Sequence, residues 1–594
     1  MKKYYGIALL IISLIFIFII FIPRNVEHAI VIKSSGGYTD VIIDGKYKKV
    51  KTNTVLTHNS VINYKYNLFT FYDFKEVSPI EERIMAKHHD NYELEISGKI
   101  PLNKKCSFYS IDKEGNIKKC SSSELIVGKN DVKSYMAKNK KLKTFVIYPL
   151  DYSSMRIGIS TTNFSSLYHE SISIKCDGDS LLYCKTEKYT DNLPKNSTAE
   201  ISFNKGKIEI SYNGKKTEFK NRVYIKGNGL AVTSIKRGYP SFTPHYDGIL
   251  EFYPSDKGMM IINEIYMEDY LKKVVPSEMP SSGGLSSLEC QAVAARTYAI
   301  SDMLRSRYAE YGFYVDDSTQ SQVYNNICPN SLSDKAVENT KGLIMTYNGN
   351  PIDAKYYSTS CGMGVMSRDI WFNSDGSGDA APYLKTKSYM TGNTDIPVNE
   401  KDWLNFFKNT NIKSIDSSSP YYRWSIKFSK ESLENCLNKS LKAIYKKNKG
   451  YMTIMQSGRK VSILPTLKNL KDIKILKRST GGNIIEISFI FKNTTVNVKE
   501  DYFIRSAIRC SKEYAGTQIP VYRYKASPLL SNNFLPSSFF SVEKSGDYFM
   551  LYGGGYGHGV GMSQYGAMNL SKEGMKFEDI LKTYYSNIDL GKIF

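Results

Sequence analysis

The sequence predicts an α+β protein, and three features carry that prediction. They are a long run of short alternating segments in the N-terminal third, a sharply marked helix near the middle, and a glycine-rich turn followed by two helices at the C-terminal end. A chain of 594 residues and 67.5 kDa exceeds what one ordinary core organises, so two or three domains are expected. Changes of character along the chain divide it into a membrane anchor over residues 1–24, a β-rich region over residues 25–236, and a mixed domain over residues 237–594. Within the last, residues 385–536 read as a divergent, lysine-rich middle section of helix and strand.

At the N-terminus, Lys2 and Lys3 precede an almost unbroken apolar run over residues 7–22, interrupted by Ser13 and stopped by Pro23-Arg24. At 1.5 Å per residue the run reaches about 24 Å, a short span that Tyr4, Tyr5 and Gly6 extend into the interface. It ends in Phe21-Ile22-Pro23 rather than in the small residues of a cleavage site, which favours an uncleaved anchor. Lysines before the run and no second run of that length place the bulk of the chain outside the cytoplasm, held to the cell membrane by one pass. A formal charge of +22 and a pI near 9.2 predict attraction to a polyanion. Outside the cytoplasm nucleic acid falls away as a partner, and an anionic wall or membrane surface remains. The same lysines also fit a plain solvated surface in a chain rich in Lys, Asn, Ile and Tyr.

The β-rich region shows alternating segments such as Ala199-Glu-Ile-Ser-Phe-Asn and Lys207-Ile-Glu-Ile-Ser-Tyr, and Asn213-Gly214 between two of them is a strong hairpin signal. It contains no constellation of side chains that reads as chemistry. Nine cysteines leave at least one unpaired, and the spacings Cys106/Cys120 and Cys176/Cys184 could staple neighbouring strands in an oxidising compartment. No Cys-x-x-Cys occurs and the seven histidines are scattered apart from His88-His89, so neither a metal site nor another cofactor is expected.

Beyond Arg237-Gly238, Ile249-Leu-Glu-Phe-Tyr and Met259-Met-Ile-Ile-Asn263-Glu264 read as strands, and Met267 to Leu271 as a short helix delivering the chain to Glu278. For the central helix, Ser286 and Glu289 have capping-box spacing, with Leu285 and Cys290 placed as a hydrophobic staple. Leu288, Ala292, Ala295, Ala299 and Met303 then form one apolar stripe. Leu343-Ile-Met-Thr-Tyr and Ile352-Asp-Ala-Lys-Tyr-Tyr-Ser are expected to pair around Asn348-Gly349. The end of the chain predicts a helix from Ser563 to Lys572 stopped by Gly574, then a second with Phe577, Ile580, Leu581 and Tyr584 on one face.

The chemistry centres on two segments. In Val275-Pro276-Ser277-Glu278-Met279-Pro280 the flanking prolines are expected to display Glu278 on a stiff loop, with Val274, Val275 and Met279 as an apolar setting suited to a carboxyl that acts as an acid. A surface glutamate capping the next helix is the bland alternative. Hydrolysis of a glycosidic bond ordinarily uses a second carboxylate, and none stands at motif-like spacing from Glu278. One carboxylate suffices where the substrate supplies its own nucleophile. The second segment, Gly553 to Gln564, holds His558 among glycines but lacks the Gly-Lys-Ser/Thr ending of a phosphate loop, so nucleotide binding is disfavoured. Tyr356-Tyr357-Ser358 and Gln322-Val323-Tyr324 add aromatic and polar groups suited to sugars, though each also suits a core position. Arg296 lies off the apolar stripe and fits an ion pair or an acidic sugar. Arg296, Gln322, Tyr356, Tyr357, Ser358, His558, Gln564 and Tyr565 make up the candidate substrate-binding set beside Glu278.

Taken in order, Glu268-Asp269-Tyr270-Leu271, Val274 to Pro280, Gln291 to Ala299, Gln322-Val323-Tyr324, Ala354 to Ser360 and Gly557 to Ala567 resemble the SpoIID/LytB family of cell-wall proteins. That family includes sporulation lytic transglycosylases and amidase enhancers, and the likeness covers residues 237–594. The resemblance implies that Glu278 is the catalytic acid/base on peptidoglycan glycan strands lacking stem peptides, and that His558, Gln564 and Tyr357 line the groove. It equally allows a non-catalytic partner that stimulates an amidase. Some relatives carry a zinc-binding Cys pair and His before the Gln-x-Tyr segment; residues 315–321 have neither, so no metal is carried over. Cys361 stands where a small residue is usual, and Tyr556 where Trp is common.

Overall fold

The fold is α+β, and a computed structural model describes residues 21–327, 330–378, 380–392, 394–530 and 533–593. The expected anchor falls almost wholly on residues 1–20, outside the described residues; among the described residues no helix is long and apolar enough to cross a membrane. The chain divides into two units. The first holds residues 1–270 and 302–326, the second residues 271–301 and 327–594.

The first unit is built of strands. A five-stranded sheet over residues 24–76 and a six-stranded one over residues 84–147 precede a twelve-stranded sheet. In the last, Thr198–Asn204, Lys207–Tyr212 and Lys215–Phe219 run antiparallel in sequence order. Asn213 and Gly214 both take positive φ, 46° and 75°, as the two-residue turn between twisted strands requires. Position 237, where the composition changes, is no boundary in this unit. It lies in the connection between Val223–Val232 and His245–Ser255, which pair antiparallel as neighbours in one sheet.

None of the eight cysteines among the described residues forms a disulfide. Cys106 Sγ instead donates to the Asn103 and Leu142 carbonyls. The strands carrying Cys176 and Cys184 meet Val223–Val232 near opposite ends, at Leu230 and Tyr224. Six residues of strand separate those points by roughly 20 Å, too far for a bridge.

In the second unit the central helix, Leu285–Arg305, starts one residue before the expected cap, and Gly284 precedes it. A Cβ on Gly283 would collide with Met568, so the helix entrance is shaped by a neighbour rather than by Ser286. The predicted apolar stripe is fully buried, but so are Gln291, Arg296 and Thr297 on its other faces. The divergent middle section supplies one five-stranded sheet, three strands of a second that Phe540–Ser545 and Tyr548–Gly553 complete, and the helix Lys430–Lys447. That helix buries Leu433, Cys436, Leu437, Ser440, Leu441 and Ile444 at the 3.6-residue period, and its apolar residues share a core with Phe489, Val496, Phe549 and Leu551. Residues 385–536 are therefore integral to this unit's core.

Asn348 and Gly349 make the predicted turn, with φ of 50° and 76°, but the return strand is only Asn350–Pro351. Tyr356–Tyr357 leaves that hairpin and runs parallel to Met562–Ser563 instead. Gly561 makes the approach possible: a Cβ there would collide with the Lys355 carbonyl oxygen, which accepts from Met562 N at 3.1 Å. The terminal helices form as expected, Gln564–Lys572 and Phe577–Tyr584, with Gly574 left-handed between them.

Candidate functional site

Glu278 is not on a loop. It is the last residue of the helix Met267–Glu278, which continues through Pro276. A proline so near the C-terminus removes one backbone donor, while the Ser277 hydroxyl donates to the Lys273 carbonyl at 2.6 Å. Pro280 sits extended and ends the helix, with Met279 N still donating to Val275 O. Val274, Val275 and Met279 are buried and Glu278 half-buried, so the carboxylate stands at a rigid helix end with its apolar side against the core.

Both ends of this residue are held. Tyr356 donates its phenol to Glu278 Oε1 at 3.1 Å, and the Gln564 amide donates to the Glu278 carbonyl at 3.1 Å and to Gln291 Oε1 at 3.3 Å. The two arms that reach Glu278 are the paired segments Tyr356–Tyr357 and Met562–Ser563 with the helix after it. Tyr565 N donates to the Ser358 carbonyl at 3.0 Å, tightening the same junction.

Beneath it lies a residue that the motifs do not announce. Asp416, from the middle section, is wholly buried; its Oδ1 accepts from Ser360 N at 2.9 Å and from the Ser563 hydroxyl. Ser563 caps the helix Gln564–Lys572 by accepting from Gly566 N. One carboxylate thus ties the strand that carries Tyr356 to the helix that carries Gln564. Burial pushes Asp416 up to about 7, against the lowering effect of its Ser563, Ser360 and Gly566 donors. No cation pairs with it among the described residues.

His558 packs its ring 5.5 Å from the Tyr357 ring and 4.8 Å from the Trp371 indole, and its Nδ1 accepts from Val560 N at 3.1 Å. Burial first, then the Lys355 and Arg505 charges, push it down to about 3, so the imidazole is neutral at any physiological pH. Tyr357 is buried, and Ser358 is half-buried with its hydroxyl against Thr359.

Glu278, Tyr356, Tyr357, Ser358, His558, Gln564 and Tyr565 all lie in the second unit. Two candidates are placed differently. Arg296 is wholly buried in the central helix and donates to the Leu343 carbonyl at 3.0 Å, a place in the core rather than on a groove. Gln322 belongs to the first unit, where it is buried and accepts from the Tyr270 phenol at 2.9 Å. Among the described residues no group of three or more His, Cys, Asp or Glu side chains could hold a metal ion.

The second unit of this α+β protein holds one glutamate at a helix end, braced by a phenol and an amide, and a buried aspartate ties together the segments that carry them. Residues 255–347 match the family model described as Stage II sporulation protein, SpoIID. The amidase enhancer of Bacillus subtilis (strain 168) is 29% identical over 331 residues, which cover 54% of this chain and 40% of that protein. Stage II sporulation protein D of the same organism is 26% identical over 346 residues, covering 56% and 76%. An uncharacterised protein of Brachyspira hyodysenteriae is 29% identical over 371 residues, covering 62% and 78%. Residues 255–347 thus resemble a SpoIID domain, and the relatives similar to this chain include an amidase enhancer and a stage II sporulation protein D. The chain spans less than half the length of the amidase enhancer that it matches.

Proposed function

We propose that this chain is a peptidoglycan lytic transglycosylase of cell-wall remodelling or sporulation, with Glu278 as its general acid/base. The observation that carries the reading is the double restraint on Glu278, by Tyr356 at the carboxylate and Gln564 at the backbone, at the end of a helix. An acid/base must hold its place while it gives and then takes a proton. In the first step the glutamic acid protonates the glycosidic oxygen as the C1–O bond breaks. In the second the glutamate removes the proton from the C6 hydroxyl of the same muramic residue, whose oxygen bonds to C1 and closes an anhydro ring. No water is consumed and the proton on Glu278 is restored.

Two nearby carboxylates are committed elsewhere, which supports a one-carboxylate scheme over hydrolysis: Asp416 is buried on backbone and Ser563, and Asp353 pairs with Lys355 at 3.1 Å. The apolar run before Pro23 supports placement outside the cytoplasm, tethered to the membrane. Denuded glycan strands incubated with the chain from Val26 onward should gain anhydro-muramyl ends by mass spectrometry. Those ends should vanish with Glu278→Gln; their absence in the parent protein, or persistence in the variant, overturns the assignment. A second reading, favoured by the name of the amidase-enhancer relative, is a wall-binding partner that stimulates a separate amidase. It predicts strand binding without anhydro ends, and faster stem-peptide release when an amidase is added.

A further inference from the structure

The chain has three tryptophans, and they divide cleanly. Trp403 and Trp424 are each 3% exposed and belong to cores, whereas Trp371 is 38% exposed. An indole so uncovered discards apolar contact that folding would otherwise gain. Its backbone is firmly fixed: Trp371 N donates to the Ser367 carbonyl at 2.9 Å, Asn483 donates to the Asp369 carbonyl at 2.8 Å, and the Tyr451 phenol donates to the Phe372 carbonyl at 2.8 Å. The indole rests against the neutral His558 ring.

The cation of an ion pair stands over the indole ring. Lys355 Nζ lies 5.5 Å from the indole centroid and 4.5 Å from the Tyr298 ring, and pairs with Asp353. Lys355 precedes Tyr356, whose phenol reaches Glu278, and the Tyr298 and Tyr356 rings are 6.5 Å apart. A continuous row of aromatic and charged groups thus leads from the Glu278 carboxylate to an open indole.

We infer that Trp371, with the Lys355–Asp353 pair beside it, is a stacking subsite for a pyranose ring of the glycan strand whose neighbouring linkage meets Glu278. A pyranose presents an apolar C–H face ringed by hydroxyls. A flat, preorganised indole with one strong donor and one strong acceptor beside it matches both parts of that chemistry. A protein partner would also cover an exposed tryptophan, but the adjoining ion pair and the row to Glu278 favour a sugar. The inference rests on the reading of Glu278 as the centre of a glycan-active site.

Because Trp371 is the one well-exposed indole, acrylamide quenching of intrinsic fluorescence reports on it directly. In the full chain carrying Glu278→Gln, which stops turnover, saturating denuded glycan strands should cut the quenchable fraction several-fold. Trp371→Ala should remove that fraction and weaken strand binding about tenfold, while Trp371→Phe keeps affinity within about threefold. Strands that bind while Trp371 stays fully quenchable overturn the subsite. So does Trp371→Ala with unchanged affinity. Protection of Trp371 by strands, with no anhydro ends from the parent protein, would keep the subsite and remove the catalytic reading. Anhydro ends with Trp371 unprotected would do the reverse.

Discussion

Two carboxylates, Glu251 in the first unit and Asp416 in the second, are both wholly buried, yet their acidities move in opposite directions. Burial works to raise Glu251, but Arg156 and Arg222 more than offset it, and the group ends below the ordinary carboxylate range. Arg156 Nη2 lies 2.7 Å from one of its oxygens and Arg222 holds the other. Around that pair a lattice extends, with Arg83 on Glu95 and Glu264 and Arg222 on Glu93. Asp416 has hydroxyl and amide donors but no cation, so desolvation wins. Glu251, which meets two guanidinium groups, becomes fixed structure; Asp416, which meets only neutral donors, remains able to titrate.

The harshest test of the lattice is Arg156→Met, which strands Glu251 and Glu264 in the interior short of a cation. Removing one partner of a buried ionic network costs about 3–5 kcal/mol, and urea unfolding should show a loss of that size. A loss below about 1 kcal/mol would mean that water or rearranged arginines already serve those carboxylates.

Asp416 should show its difference as pH dependence. Its folded pKa of about 7 lies above the roughly 4 of an unfolded aspartate, so between those values the folded protein holds a proton that the unfolded chain has released. Stability is therefore fullest below pH 4 and falls as pH rises through 7, by up to roughly 4 kcal/mol from this group. The phenols of Tyr357, Tyr389 and Tyr584 and the Cys361 thiol are all pushed up by burial, so they stay neutral across the window. Glu500, raised to about 7, and Asp131, raised to about 6, add slopes of their own, so parent and variant must be compared. Asp416→Asn keeps an acceptor for Ser360 and Ser563 and should flatten the fall; an unchanged slope would show that Asp416 is already ionised at pH 5.

Ser563→Ala breaks the same junction from the other side. It uncovers Gly566 N and takes a donor from Asp416, with an expected loss of about 1–2 kcal/mol in thermal unfolding. A silent Ser563→Ala would mean that the helix start is held by Gln564 alone.

How much of this was legible in the sequence follows the range of the interactions. The Asn213-Gly214 and Asn348-Gly349 turns and the terminal helices rest on neighbours in the chain, and local residue types announce them. The prolines around Glu278, by contrast, point to a loop where a helix runs through Pro276. The placement of residue 237 between two paired strands of one sheet rests on strand pairing between segments that carry no local mark of each other. Burial of Arg296 escaped the helical period because the central helix is covered on every face, leaving no polar side for a pattern to show. Asp416 sits among Ile415, Ser417, Ser418 and Ser419, a context that reads as an ordinary turn. Only the fold brings it under Ser360 and Ser563. Trp371 could have been singled out as one of three tryptophans, but nothing in its neighbours distinguishes an exposed indole from the two in the cores.

Glu278 occupies a third state between these extremes, half-buried and held by a phenol. Tyr356→Phe removes that donor, and water can reach a half-buried oxygen in its place, so the folded state should lose less than about 1 kcal/mol. Catalysis is more demanding, because water restores hydrogen bonding but not direction. A misaimed acid loses the geometry that proton transfer requires, and formation of anhydro ends should fall about tenfold with strand affinity unchanged. An equal loss in stability and in cleavage would mark Tyr356 as packing alone. A loss confined to cleavage would separate Glu278 from both buried carboxylates, as the one whose phenol donor serves to aim it.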